Sequence, residues 1–202
     1  MSRDAFLVEF KRSFVPILRD QGFRGSGVTF RRQLGLLTHV VNLQGSSGGE
    51  HCYLNLGAHL SFLAPVGGEP PDPAKLKEYE CAFRTRVNPE LNPSYGWPYG
   101  LNTKEINANV ATLCTAYDVQ GSRFFAQFAS YPESFSSVEP TSLEASATPH
   151  ALASGSPLNW ARIALQIGNV AVARDFAKLG LAQASPRASL YRAECERIAN
   201  GP

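Results

Sequence analysis

Apolar positions over the first twenty residues recur at three- and four-residue steps. Phe6, Leu7, Phe10, Phe14, Ile17 and Leu18 form one stripe against Glu9, Lys11, Arg12 and Arg19. This predicts an amphipathic helix capped by Ser2 and stopped at Gly22. Pro16 lies inside it and predicts a kink or break near Val15, because proline has no N–H to give and its ring crowds the preceding turn. After the turn GFRGSG the period changes to two, and strands are predicted over 28–33, 36–44 and 51–62. In the third, Cys52, Leu54, Leu56, Ala58 and Leu60 alternate with Tyr53, Asn55, Gly57 and His59, which predicts one buried face. The Gly/Ser run 45–50 predicts a hairpin between the second and third strands. A fourth strand is predicted over 81–87, with Cys81, Phe83, Thr85 and Val87 on one face and Ala82, Arg84 and Arg86 on the other.

Residues 63–73 (LAPVGGEPPDP) read as a rigid loop, and 88–101, with Tyr95, Trp97 and Tyr99, as an ordered loop laid over the sheet. A helix capped by Thr103 turns Ile106, Val110, Leu113 and Tyr117 inward and ends at Gly121. Another, carrying Phe124, Phe125 and Phe128, stops near Tyr131 and Pro132. Ser156–Pro157, Gly168–Asn169 and Ser185–Pro186 then divide 158–200 into three helices of roughly 10 to 15 residues each. The fold class is therefore α+β, an N-terminal helix on a small antiparallel sheet of about four strands followed by a C-terminal helical bundle. The expected organisation is an α+β domain over 1–135, a Ser/Ala/Pro-rich linker over 136–157, and a helical annex over 158–202 packed on the first domain. The alanine-rich annex is similar to tetratricopeptide-type hairpins without their full repeat signature, and its smooth surface suits self-association.

Composition adds little to this picture and removes much. At 202 residues the chain can bury roughly 70% of its unfolded surface without staples. A formal charge of +2 is too small for the basic footprint that nucleic acid or an anionic membrane selects. The local surplus, seven Lys/Arg against three acids over 1–32, reads as a solvated helix face and hairpin rim. Cys52, Cys81, Cys114 and Cys195 stand apart without metal-ligand spacing and read as small buried apolar residues in a reducing compartment. Charges at Arg3, Asp4, Glu9, Lys11 and Arg12 break any N-terminal apolar run, so the expected location is the cytoplasm.

Tests for chemistry return one surface. Gly45–Gly49 matches G-x-S-x-G in letters, yet a strand follows Ser47 where the nucleophile elbow needs a helix. His39 shares a face with Tyr53, Asn55 and His59 in one hairpin register and not in the next, with no matching carboxylate. His150 falls in the linker. No catalytic residue, metal or cofactor is expected. The remaining constellation is polar: Asn42 and Gln44 near the end of one strand, Asn55 in the next, and Arg84 and Arg86 in the fourth. Arginine's planar fork suits carboxylate or phosphate there.

At these residues the chain resembles a bacterial family known as domain of unknown function 4304. The resemblance runs through GFRGSGVTFRR, VVNLQ, YLNLG and FRTRV to Trp97, and more loosely through the alanine-rich helices. Phe23, Phe30, Gln44, Asn55, Gly57 and Arg86 match the pattern of the family. Phe83 departs from it, since members often carry an aromatic pair with histidine in that strand, which removes the basis for histidine chemistry there. The resemblance implies an α+β fold and a bacterial cytoplasmic protein, and no activity. Some similar small bacterial proteins are immunity partners of secreted toxins. The leading expectation is thus a non-catalytic protein that binds another protein, a toxin it neutralises, through Asn42, Gln44, Asn55, Arg84, Arg86 and the aromatic anchor Trp97. The alternative is a small-ligand binder or enzyme with a polar pocket between sheet and helices, where Gln44, Asn55 and Arg86 hold an anionic group.

Overall fold

The structure is a computed structural model and describes residues 2–89, 96–144 and 155–201. Tyr95, His150 and the 145–154 part of the expected linker lie outside the described residues. Helix α1 (Ser2–Asp20) buries Phe6, Phe10, Phe14 and Leu18 completely, as its stripe predicts. It runs through Pro16 without a break, contrary to the expectation. Both Pro16 and Arg12, whose carbonyl loses its helical partner, are exposed, so water can satisfy that oxygen.

The sheet has six strands, not about four. Its order is β1 (Arg24–Ser26), β2 (Thr29–Leu34), β3 (Leu37–Gly45), β4 (His51–Leu60) and β5 (Phe83–Val87), all antiparallel, with β6 (Trp97–Pro98) pairing β4 beyond the end of β5. Register fixes the faces. Phe30, Val41, Leu56 and Ala58 point to the inner face with Phe83 and Val87, while Thr29, Asn42, Asn55 and Arg86 form a row across the outer one. His39 pairs with Ala58 and so lies on the inner face, away from Tyr53, Asn55 and His59, which decides between the two registers that the sequence left open. Cys81 precedes β5 and packs with Val40 and Leu76 on the outer side rather than beside Phe83.

The inner face is covered by α1, α2 (Thr103–Ala116), α3 (Ser122–Gln127) and α5 (Pro157–Ile167), in one hydrophobic cluster running from Phe6 through Leu54 and Trp97 to Ile198. An aromatic chain threads this cluster. Phe125 meets Phe124, Phe124 meets Phe128, Phe128 stacks on Phe83 at 4.6 Å, and Phe83 meets Trp160 of α5, which stacks on Phe176. Asn102, one residue before the predicted Thr103, caps α2 by accepting from Glu105 N at 3.0 Å. The chain does not stop at Gly121. It passes through a π-helical turn (Tyr117–Gly121) into α3, and a Cβ at Gly121 would stand 2.7 Å from the Tyr117 ring. Glycine is there for close packing rather than as a left-handed cap.

A short helix α4 (Pro140–Glu144) precedes α5, followed by α6 (Val170–Gln183) and α7 (Ser189–Asn200). Ser156 caps α5 with Pro157 in its first turn. Gly168, at φ 91°, ends it, and Asn169 caps α6. Ser185–Pro186 does not start α7, which begins at Ser189. The Ser185 hydroxyl accepts from Arg187 N and its carbonyl from Ala188 N, closing a tight turn before the helix. No helix among the described residues is long and apolar enough to cross a membrane.

Candidate functional site

The outer sheet face has two halves. One is covered by the 61–82 segment, which returns over β4 and seals Val40, Leu76 and Cys81 together. Arg31 pins this cover by donating to the carbonyls of Leu76 and Lys75. His59 pins it from β4, its Nε2 donating to Leu63 O at 3.0 Å and its Nδ1 accepting from Ala82 N at 3.1 Å. Burial lowers the pKa of His59, and these bonds use the neutral ring. Gly57 sits beneath the cover because a Cβ there would meet Cys81 Sγ at 2.5 Å.

The other half is open and polar. Asn55, 6% exposed, lies at its centre. Its Nδ2 donates to Gln44 Oε1 at 2.9 Å, and its Oδ1 accepts from Arg86 Nε at 3.0 Å. The Arg86 guanidinium lies over the Tyr53 ring, 4.0 Å from the centroid. The Tyr53 hydroxyl is 2.9 Å from His51 Nε2. Arg86 is thereby held from two sides by a neutral amide and a π-face, and among the described residues nothing accepts a hydrogen bond from its two terminal nitrogens. Among the described residues no carboxylate pairs with it. Asn42 occupies the same row but turns to β2, donating to Thr29 Oγ1 at 2.8 Å.

The structure therefore brings Gln44, Asn55 and Arg86 together, sets Asn42 beside them, and separates the other two candidates. Arg84 points to the same face two residues away but leans to the covered half, where its Nη1 donates to Tyr79 O at 3.3 Å. Trp97 is 2% exposed on the inner face, its Nε1 donating to Val87 O at 3.0 Å, so it is a core residue and not a surface anchor. Tyr53 and His51 are the residues that sequence reasoning missed. Both alternate with the buried set of β4, and the signal that could have found them is an aromatic one pair removed from Arg86 along the outer face.

Other reactive groups are turned to packing. Burial pushes the Cys52 thiol up to about 12 and raises Cys81 further, so neither presents a thiolate. His39 is fully buried, stacked on Phe125 and fixed as the Nε2–H tautomer by donating to Phe128 O at 2.7 Å while accepting from Arg32 Nη2 at 3.0 Å. Burial lowers its pKa to about 4. Among the described residues no group of three His, Cys, Asp or Glu is placed to hold a metal ion.

A six-stranded antiparallel sheet with helices on its inner face and a polar row on its outer one makes this an α+β protein whose exposed chemistry is arginine, amide and tyrosine. Residues 14–127 match the family described as Domain of unknown function (DUF4304), and the chain belongs to it. The match takes in the whole sheet and the Arg86 row, whereas α5–α7 lie beyond it. No curated protein and no solved structure matches the chain.

Proposed function

We propose that this chain is a non-catalytic binding protein that takes an acidic patch of a partner protein on the open half of its outer sheet face. The observation that carries this reading is the posture of Arg86, stacked on Tyr53 and tied to Asn55, with both terminal nitrogens unspent and no carboxylate paired to it among the described residues. An arginine fixed before binding loses little side-chain freedom when a carboxylate meets it, and arginine–tyrosine pairs are favoured interface anchors. The finer reading is a cytoplasmic immunity protein whose partner is a bacterial toxin, an analogy with other small bacterial proteins that rests on no motif of this chain.

Parallel affinity capture with the wild-type chain and Arg86→Glu tests the binding reading. A protein held by the wild type and released by the variant supports it, and a wild-type bait that retains nothing the variant does not retain overturns it. Co-expression with a toxin-like neighbouring gene tests the finer reading. Rescue of growth by the wild type and not by Arg86→Glu supports immunity, and absence of rescue by the wild type removes it while leaving the binding test standing.

A further inference from the structure

A second site lies at the seam between the sheet cover and the C-terminal helices. A cavity of about 820 Å³ opens there between the 63–71 loop, the start of β5 and one flank of α5 and α7. That size falls within the range of small-molecule sites. Its walls are chiefly apolar, built by Leu63, Pro65, Val66, Pro71 and Leu158. The seam is fastened rather than merely apposed. Arg162 of α5 meets Glu194 of α7 through Nε at 2.8 Å and through a second, Nη2 contact, and its Nη1 donates to Ala64 O in the loop, so one guanidinium ties both helices to the cover.

The polar groups facing this space differ in how far they are committed. Arg162 is spent on Glu194 and Ala64. His59 is spent on Leu63 and Ala82. Glu80 turns back to its own 3-10 turn and accepts from Lys77 N at 2.7 Å. Glu69 stands exposed on the loop. Of the two arginines on this wall, Arg84 is the one whose donors are not all held by described residues: Nη1 is on Tyr79 O, leaving Nε and Nη2, the edge that grips a carboxylate or phosphate in two parallel bonds.

We infer that the cavity between the sheet cover and α5/α7 is a binding site for an amphipathic small molecule, an apolar chain or ring carrying one carboxylate or phosphate that docks on Arg84. The site is separate from the Arg86 row and independent of the partner proposed for it. Its apolar walls take the body of the ligand, and Arg84 at the rim fixes its orientation.

Calorimetric titration of the full chain with octanoate, octanol and octylammonium reads this directly, because the three probes share a tail and differ in the head. The expected result is saturable one-to-one binding of octanoate, weaker by about tenfold for octanol and for octylammonium, the loss of one charge-assisted pair. Arg84→Met, which keeps the apolar stem, lowers octanoate affinity to that of octanol. Val66→Trp, which fills the cavity from its exposed wall, removes binding of both, while Lys178→Met on α6 changes nothing. Equal affinity for the three probes, octanoate binding unchanged in Arg84→Met, or no saturable binding by the wild type would overturn the inference.

Discussion

Arg86 and Tyr53 lie on neighbouring strands of one sheet, and the guanidinium carbon of the first stands 4.0 Å from the ring centre of the second. Asn55, the residue paired with Arg86 across the strands, fills the remaining side of that contact and passes its other end to Gln44. Three side chains from two strands are thus arranged around a cation on a third, and the arrangement depends on the sheet register rather than on any loop.

Replacing Asn55 by Ala should release Arg86 without unfolding the chain. Gln44 and Arg86 are exposed and can turn to water, so the cost is about 1 kcal/mol in urea unfolding. The Arg86 Nε–H resonance, slowed in exchange by its bond to Asn55, should broaden or vanish in the variant while the backbone spectrum of β4 and β5 is kept.

Gly57→Ala should destabilise the chain by about 1–3 kcal/mol, because the new methyl meets Cys81 Sγ at 2.5 Å and Cys81 Cβ at 2.8 Å under the cover. Combining it with Cys81→Gly should recover part of that loss, whereas independent sites would simply add. Urea midpoints of the two single variants and the double variant measure the coupling.

Stability should fall as the solution is acidified below neutrality, and His39 sets much of the slope. Its folded pKa is about 4 against an ordinary value near 6.5, so between these values the unfolded chain binds the extra proton and unfolding is favoured as pH drops. The contribution is complete above about pH 6.5 and is lost progressively toward pH 4, roughly 3 kcal/mol in all. His59, also lowered by burial, acts in the same direction. His39→Gln should remove about one proton from the measured difference between pH 7 and pH 5.

Arg162→Met should cost about 2–4 kcal/mol, since it leaves a largely covered Glu194 without its main partner and frees the Ala64 carbonyl. Arg197 lies 3.9 Å from Glu194 and offsets part of the loss. Hydrogen exchange should speed up in the 63–71 loop and at the start of α7, with the sheet centre unaffected.

Much of this fold is legible in the chain because its signals are local. The α1 stripe, the alternation in β4 and the Ser156–Pro157 and Gly168–Asn169 pairs are all visible within a few residues and correspond to observed elements. What escaped depends on distant neighbours. The three exposed residues of β1 and the two of β6 have no period to read, since only pairing defines them. Gly121 looks like a stop until Tyr117 is seen against it, and His39 changes face with a one-residue slip that no local pattern forbids. At the candidate site, Gln44, Asn55 and Arg86 were found from residue type. Their hydrogen-bonded order and the Tyr53 platform needed the register. The cavity was invisible because its walls come from residues about a hundred positions apart, tied across the seam by Arg162.

The most direct test of the central claim is calorimetric titration of the captured partner into the wild-type chain and Arg86→Ala, with Lys178→Ala as the exposed control. An anchor of this kind should cost about 2 kcal/mol or more on truncation, a drop in affinity of about thirtyfold, with the control unchanged. Binding by Arg86→Ala at wild-type affinity would contradict the claim that the Arg86–Tyr53 face holds the partner.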